Sequence, residues 1–239
     1  KINLESKNYI ELILKDSSKK DVLLILPGGG YFLTSEREAM PVVDAFSDLD
    51  MHHAIFYYRE EKHLYPDLMV EGEHVLHLLK SHDSIRDIYI MGFSAGGHYA
   101  GLLMTKFPKH IKASLLLYPV ITSEESFMHH GSFHNLLGDR FDTYDLKELS
   151  IEHRVDAQTP PVFLMHTNDD QSVAVENSLL LANALKKQGI EVELHVYPKG
   201  RHGVSVATKE VAFIEMDPND FIASYGYIHS WIALAKSFI

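Results

Sequence analysis

The chain has 239 residues, 46% of them apolar and 23% charged, enough for one sizeable core and within the range of a single large domain. Its 22 Lys and Arg against 33 Asp and Glu leave a formal charge of −11, so no broad basic field exists to hold a phosphate backbone, and nucleic acid is excluded as a general partner. The absence of cysteine removes disulfides, thiolate metal sites and cysteine nucleophiles, and no apolar run reaches the roughly 18 to 20 residues of a membrane-spanning helix.

In chain order, apolar runs at 9–14 and 22–26, separated by a polar turn at 16–21, predict an antiparallel edge hairpin. Further strands are predicted at 53–58, 88–91, 113–117, 162–166 and 193–197. Stretches of helical period fall at 37–47, 66–81, 95–107, 175–187 and 221–238. This alternation is the pattern of an α/β, doubly wound fold, a mostly parallel sheet with helices on both faces. Residues 121–158 break the alternation and read as an insertion; following the C-terminal end of a strand, they are expected to form a small cap or pocket wall. No linker or repeat divides the chain, so residues 1–239 are expected to be one domain. No targeting segment is legible from Lys1 onward, and the expected location is cytoplasmic.

The strongest local signal is Gly92-Phe93-Ser94-Ala95-Gly96, set directly between a predicted strand and a predicted helix. A serine on so sharp a turn is held in strained backbone with its hydroxyl exposed, and the following helix N-terminus favours negative charge. The segment lacks the spacing of a dinucleotide fingerprint and the lysine of a phosphate-binding loop. After the strand at 22–26 comes Pro27-Gly28-Gly29-Gly30-Tyr31. Its backbone amides at Gly29 and Gly30, with that of Ala95, suit a developing oxyanion.

A serine nucleophile needs a base. Of the 16 histidines, His202 in Gly200-Arg201-His202-Gly203 follows the last predicted strand and is the candidate. The acid that orients it is expected between Ser94 and His202, in His166-Thr167-Asn168-Asp169-Asp170-Gln171-Ser172-Val173. Asp170, three residues before Val173, is favoured, with Asp169 as the alternative. Tyr31, Tyr118, Phe127 and Phe133 are candidate pocket residues. His74 and His77 have a spacing that can hold a metal, but Glu71 and Glu73 place them on a solvent-facing helix, so no metal is expected, and no cofactor is required.

Together these segments resemble the α/β-hydrolases, and among them the small serine esterases grouped with acetyl esterases, acetylxylan-esterase-like proteins and sugar hydrolases. The resemblance runs from about residue 22 to 203. It rests on the Pro27–Tyr31 motif with Ser35-Glu36-Arg37-Glu38, the Gly92–His98 motif, Leu117-Tyr118-Pro119 and Gly131-Ser132-Phe133. Leu136-Leu137-Gly138, Thr159-Pro160-Pro161, the segment from His166 and the Gly200–Gly203 motif complete it. It departs from the family at Pro27, where many members have histidine, and at Ala174, where proline is common.

The resemblance implies an α/β-hydrolase fold and a cofactor-independent serine carboxylesterase acting on short acyl esters, acetyl above all, often carried by sugars. Ser94, His202 and Asp170 would form its triad. The insertion is too short for a large lid, which points to small-molecule esters rather than a lipid surface. A homodimer is expected by family analogy alone. Two alternatives are a small serine peptidase or amidase using the same triad, and a non-catalytic hydrolase-fold receptor, against which the intact triad argues.

Overall fold

Residues 22–26 are aliphatic and have no exposed surface, which demands a strand with neighbours on both edges and helices on both faces. The computed structural model, which describes residues 1–239, meets that demand with β3 (Lys20–Leu26) in the interior of one eight-stranded sheet. Its other strands are β1 (Ile2–Asn3), β2 (Tyr9–Ile13), β4 (His52–Tyr57), β5 (Ile85–Phe93), β6 (Ile111–Leu117), β7 (Val162–Thr167) and β8 (Val192–Tyr197). They run in the order β1-β2-β4-β3-β5-β6-β7-β8. From β4 across to β8 the pairing is parallel, while β1 and β2 are antiparallel.

The hairpin expected from 9–14 and 22–26 does not form. β2 pairs with β4, from Tyr9 opposite Tyr57 to Ile13 opposite His53, and β3 lies on the far side of β4. The reason is burial: β3 is covered on both faces and takes parallel partners on both edges, whereas half-exposed β2 suits the margin of the sheet. Tyr9 stacks on Tyr57 with ring centroids 4.7 Å apart, adding an aromatic cross-strand pair to that register.

Six helices cover most of the sheet's two faces. α2 (Asp67–Ser81), α3 (Ala95–Lys106) and α5 (Glu176–Lys187) lie where the sequence predicts them. The helix predicted at 37–47 is a 3-10 turn, Glu36–Glu38, followed by α1 (Met40–Phe46) with proline in its first turn. The helix predicted at 221–238 is divided into α6 (Pro218–Tyr225) and α7 (Trp231–Phe238) by a 3-10 segment starting at Gly226. Side chains of β3 alternate between two cores: Val22, Leu24 and Leu26 join Leu76, Leu103 and Leu181, while Leu23 and Ile25 join Val42, Phe46 and Trp231.

The insertion at 121–158 holds one further short helix, α4 (His130–Leu137), and several 3-10 turns. Leu136, Leu137, Leu149 and Ile151 are fully buried in the same core as α3, so the segment is packed onto the molecule. Asn135 of α4 donates to the Gly30 carbonyl at 2.9 Å, which sets the insertion against the glycine loop. No helix is long and apolar enough to cross a membrane.

Candidate active site

The sheet delivers its chemistry to the C-terminal ends of β3, β5, β6, β7 and β8. β5 ends at Phe93 and α3 begins at Ala95, leaving Ser94 alone at the turn with φ 53° and ψ −119°. Such a conformation costs a residue with a Cβ about 1 to 3 kcal/mol and persists only where its surroundings impose it. Here the Ser94 N–H donates to the Leu117 carbonyl at 3.0 Å, and the Ser94 carbonyl accepts from His98 and Val120, both at 3.1 Å. Gly96 permits the geometry: a Cβ on it would lie 2.1 Å from the Leu26 carbonyl oxygen and 2.4 Å from that of Pro27. The first turn of α3 therefore presses directly on the glycine loop. Tyr31, Tyr118, Ser205 and Ala207 are the other non-glycine residues with positive φ, and all lie in loops on this same rim.

Ser94 Oγ is 2.8 Å from His202 Nε2, and His202 Nδ1 is 2.6 Å from Asp170 Oδ2. The carboxylate fixes the tautomer: Nδ1 carries the proton and Nε2 is left to accept from the serine hydroxyl. The second Asp170 oxygen accepts from the Ser172 and Val173 amides at 2.8 and 3.0 Å. Burial is the largest influence on this carboxyl and pushes it up. Hydrogen bonds from His166 and His202, the charge of His202 and the Val173 N–H outweigh it and hold the group well below the ordinary carboxylate range. Asp169 points elsewhere and accepts from the Gly200 amide at 2.6 Å.

His166 is a member of this cluster that sequence reasoning missed. It is fully buried, its Nε2 lying 2.9 Å from the Val173 carbonyl and 3.5 Å from Asp170 Oδ2, and its Nδ1 2.7 Å from Ser178 Oγ. A histidine near the end of a buried strand, four residues before Asp170, was the available signal.

Across from the histidine, Gly29 and Gly30 have φ of 126° and 61°. Their amides, and that of Ala95 at the start of α3, make no hydrogen bond within the protein. The preceding amide, Gly28, donates to Glu38 Oε2 at 2.7 Å. Amides ahead of a helix N-terminus form an anion-binding arrangement beside Ser94.

Of the expected pocket residues, Tyr118 lies beside His202, its ring 5.1 Å away in an edge contact, but with 1% of its surface exposed it is packed beneath the site and offers no face to a ligand, which corrects the expectation. Phe127 is half-buried, and its carbonyl accepts from Asn177 at 3.0 Å. Tyr31 and Phe133 are corrections: with 0% and 1% of their surface exposed, they are packed beneath the site and offer no face to a ligand. Both close on His98, the Tyr31 hydroxyl at 2.8 Å from its Nδ1 and the Phe133 ring at 5.3 Å. His98 Nε2 donates to the Leu149 carbonyl at 2.8 Å, so this imidazole ties the glycine loop to the insertion. Burial depresses its pKa to about 4, with the Leu149 carbonyl opposing.

A cavity of about 500 Å³ borders His202 between Ser172, Lys199, Arg201 and Tyr225. A larger one of about 670 Å³, around Glu61, His63, Glu71 and His74, contains none of the triad or glycine-loop residues. His77, the other half of the possible metal pair, packs its ring on His110 at 4.8 Å.

The sequence profile of the prolyl oligopeptidase family matches residues 50–221, a span that includes Ser94, Asp170 and His202. The chain is 31% identical over 225 residues to endo-1,4-beta-xylanase B of Butyrivibrio fibrisolvens, covering 85% of this chain and 35% of that protein. It is 27% identical over 221 residues to the acetylxylan esterase of Xylanibacter ruminicola, covering 87% of this chain and 46% of that one. The chain thus spans less than half the length of either curated relative. Among solved structures, the acetyl ester-xyloside bifunctional hydrolase from Caldicellulosiruptor lactoaceticus superposes with a TM-score of 0.79 at 32% identity, covering 94% of this chain and 89% of that one.

Proposed function

Because the chain belongs to the prolyl oligopeptidase family and has the α/β-hydrolase fold, we propose that it is a serine carboxylesterase removing short acyl groups, acetyl first, from hydroxyls of xylose-containing sugars. The observation that carries this reading is the hydrogen-bonded chain from Ser94 through His202 to Asp170, at 2.8 and 2.6 Å. In the reaction Ser94 Oγ attacks the acetyl carbonyl carbon while its proton passes to His202 Nε2, and Asp170 steadies the imidazolium. The carbonyl oxygen, now an oxyanion, accepts from the amides of Gly29, Gly30 and Ala95. Each such donor is worth about 2.7 to 4 kcal/mol of barrier. His202 then protonates the departing sugar oxygen as the ester C–O bond breaks, leaving acetyl-Ser94. Water attacks the acyl carbon, gives its proton to His202, and acetate leaves as Ser94 recovers that proton.

The sugar part of the proposal is supported by two relatives, one named for acetylxylan and one for acetyl ester-xyloside hydrolysis. It is also supported by Ser172, Lys199 and Arg201 around the cavity next to His202, side chains that can hydrogen-bond a hydroxylated leaving group. The family's name favours a second reading, cleavage of amides by the same triad.

The test is hydrolysis of p-nitrophenyl acetate, butyrate and octanoate at pH 7.5, beside a proline p-nitroanilide, by the wild type and by Ser94→Ala. Acetate is expected to turn over fastest, and the alanine variant to lose up to about a millionfold in kcat. Faster release from the anilide would replace the esterase with the peptidase, and equal inactivity of both folded proteins on every substrate would favour the receptor.

A further inference from the structure

The mechanism leaves one buried carboxyl unused. Glu38 sits in the 3-10 turn after the glycine loop and is only 4% exposed. Both of its oxygens meet donors: Oε2 accepts from the Gly28 amide and Oε1 from the Tyr118 hydroxyl, each at 2.7 Å. The Tyr118 oxygen in turn accepts from the Ser205 amide at 3.0 Å, three residues after His202, and the Tyr118 ring lies against the His202 ring. Ser205 closes the circuit by donating from its hydroxyl to the Arg37 carbonyl at 2.6 Å, next to Glu38 in sequence. One side chain therefore joins the loop after β3, which carries the oxyanion donors, to the loops after β6 and β8, which carry Tyr118 and the base.

We propose that Glu38 is a positioning residue, acting through Gly28 and Tyr118 to hold the Gly29 and Gly30 amides and His202 in one fixed relation to Ser94. Tyr118 and Ser205 both adopt positive φ, a strained state that needs such an external tie to persist. Burial raises the Glu38 carboxyl above its ordinary value, and the bonds from Tyr118 and Gly28 with the charges of His202 and Arg37 act against that rise. The inference rests on Ser94 as nucleophile and is independent of which ester is cleaved.

The test reads Ser94 directly, by its rate of labelling with a fluorophosphonate probe, with Ser94→Ala as the blank and the thermal midpoint of each variant recorded. Glu38→Ala and Tyr118→Phe are expected to slow labelling about ten- to hundredfold, less than outright removal of an oxyanion donor, which costs about a hundred- to thousandfold. Glu38→Gln keeps an acceptor for Gly28 but meets the Tyr118 hydroxyl with an N–H in place of an acceptor, so it is expected to recover part of the rate and to be faster than Glu38→Ala. The double variant Glu38→Ala/Tyr118→Phe should be no slower than the worse single one, because the two residues act as a unit. Wild-type rates in the single variants, multiplying effects in the double, or a glutamine variant as slow as the alanine would each overturn the role. Should Glu38→Ala fail to fold, Tyr118→Phe and Glu38→Gln still decide. Labelling of the wild type without hydrolysis of acetate esters would remove the esterase and leave Glu38 in place, whereas an unlabelled wild-type Ser94 would remove both.

Discussion

Asp170 has its whole side chain out of solvent and each oxygen held by named donors, while its neighbour Asp169 is exposed and holds the Gly200 turn. The two substitutions should therefore separate. Asp170→Asn is expected to lower kcat about ten-thousandfold, because an amide favours the wrong imidazole tautomer. Asp169→Asn retains an oxygen for the Gly200 amide and should cost less than about tenfold by the same comparison of hydrogen bonds; steady-state rates on p-nitrophenyl acetate distinguish them. Ser94 and His202 were legible because a strand-to-helix serine turn and a glycine-flanked histidine are local patterns. Glu38, His98 and His166 were not. Glu38 and His98 are buried by partners far along the chain, Tyr118 and Leu149, which no local pattern announces. His166 bonds only to Asp170, Val173 and Ser178 close by in sequence, and its position near the end of an apolar strand does not distinguish it from an ordinary core histidine. For Tyr31 and Phe133, aromatic character at a loop was compatible with pocket or core, and only the position of His98 between them decides for core.

At the scale of elements, the strands and most helices could be read from period, but their neighbours could not. Residues 9–14 and 22–26 are close in sequence, and a short polar turn argues for a hairpin. What prevents it is the fully buried β4, which lies between them and gains an antiparallel partner on one edge and a parallel one on the other. The predicted helix at 221–238 follows the apolar period on either side of Gly226, where the chain forms a 3-10 segment, Gly226–Ser230, instead of one continuous helix. The most constraining contact between elements is that of α3 with the end of β3. Gly96→Ala would drive a methyl into two backbone carbonyls, neither of which can rotate aside. The expected loss is about 1 to 3 kcal/mol or more of stability, read as a lower denaturant midpoint. It should come with a fall in kcat, because the displaced α3 carries Ala95 and Ser94 with it. An alanine variant with an unchanged midpoint would show that the glycine loop yields freely, contrary to the tight packing described.

For the molecule as a whole, acid stability follows from two buried imidazoles. His98 and His53 both have pKa values depressed to about 4, in each case chiefly by burial, and His53 Nε2 has no hydrogen-bond partner. A histidine whose folded-state value lies below its unfolded value of about 6.5 binds more protons when unfolded, so stability falls as pH drops from about 6.5 to about 4 and levels off below. Each contributes up to about 3 kcal/mol over that window. Asp170 has the same sign in a more acidic window: its carboxyl is also depressed, so its contribution persists between about pH 6.5 and about pH 4 and is lost only in stronger acid. Net charge does not mimic the effect, because protonating histidines on a chain of formal charge −11 relieves self-repulsion and would stabilise. Urea midpoints between pH 7 and pH 4 should therefore decline in the wild type. His98→Gln, which offers an N–H to Leu149 and an oxygen to Tyr31, should flatten part of the decline, and adding His53→Phe should remove most of the rest. If the double variant kept the wild-type slope, the origin of the acid sensitivity would lie outside these two sites.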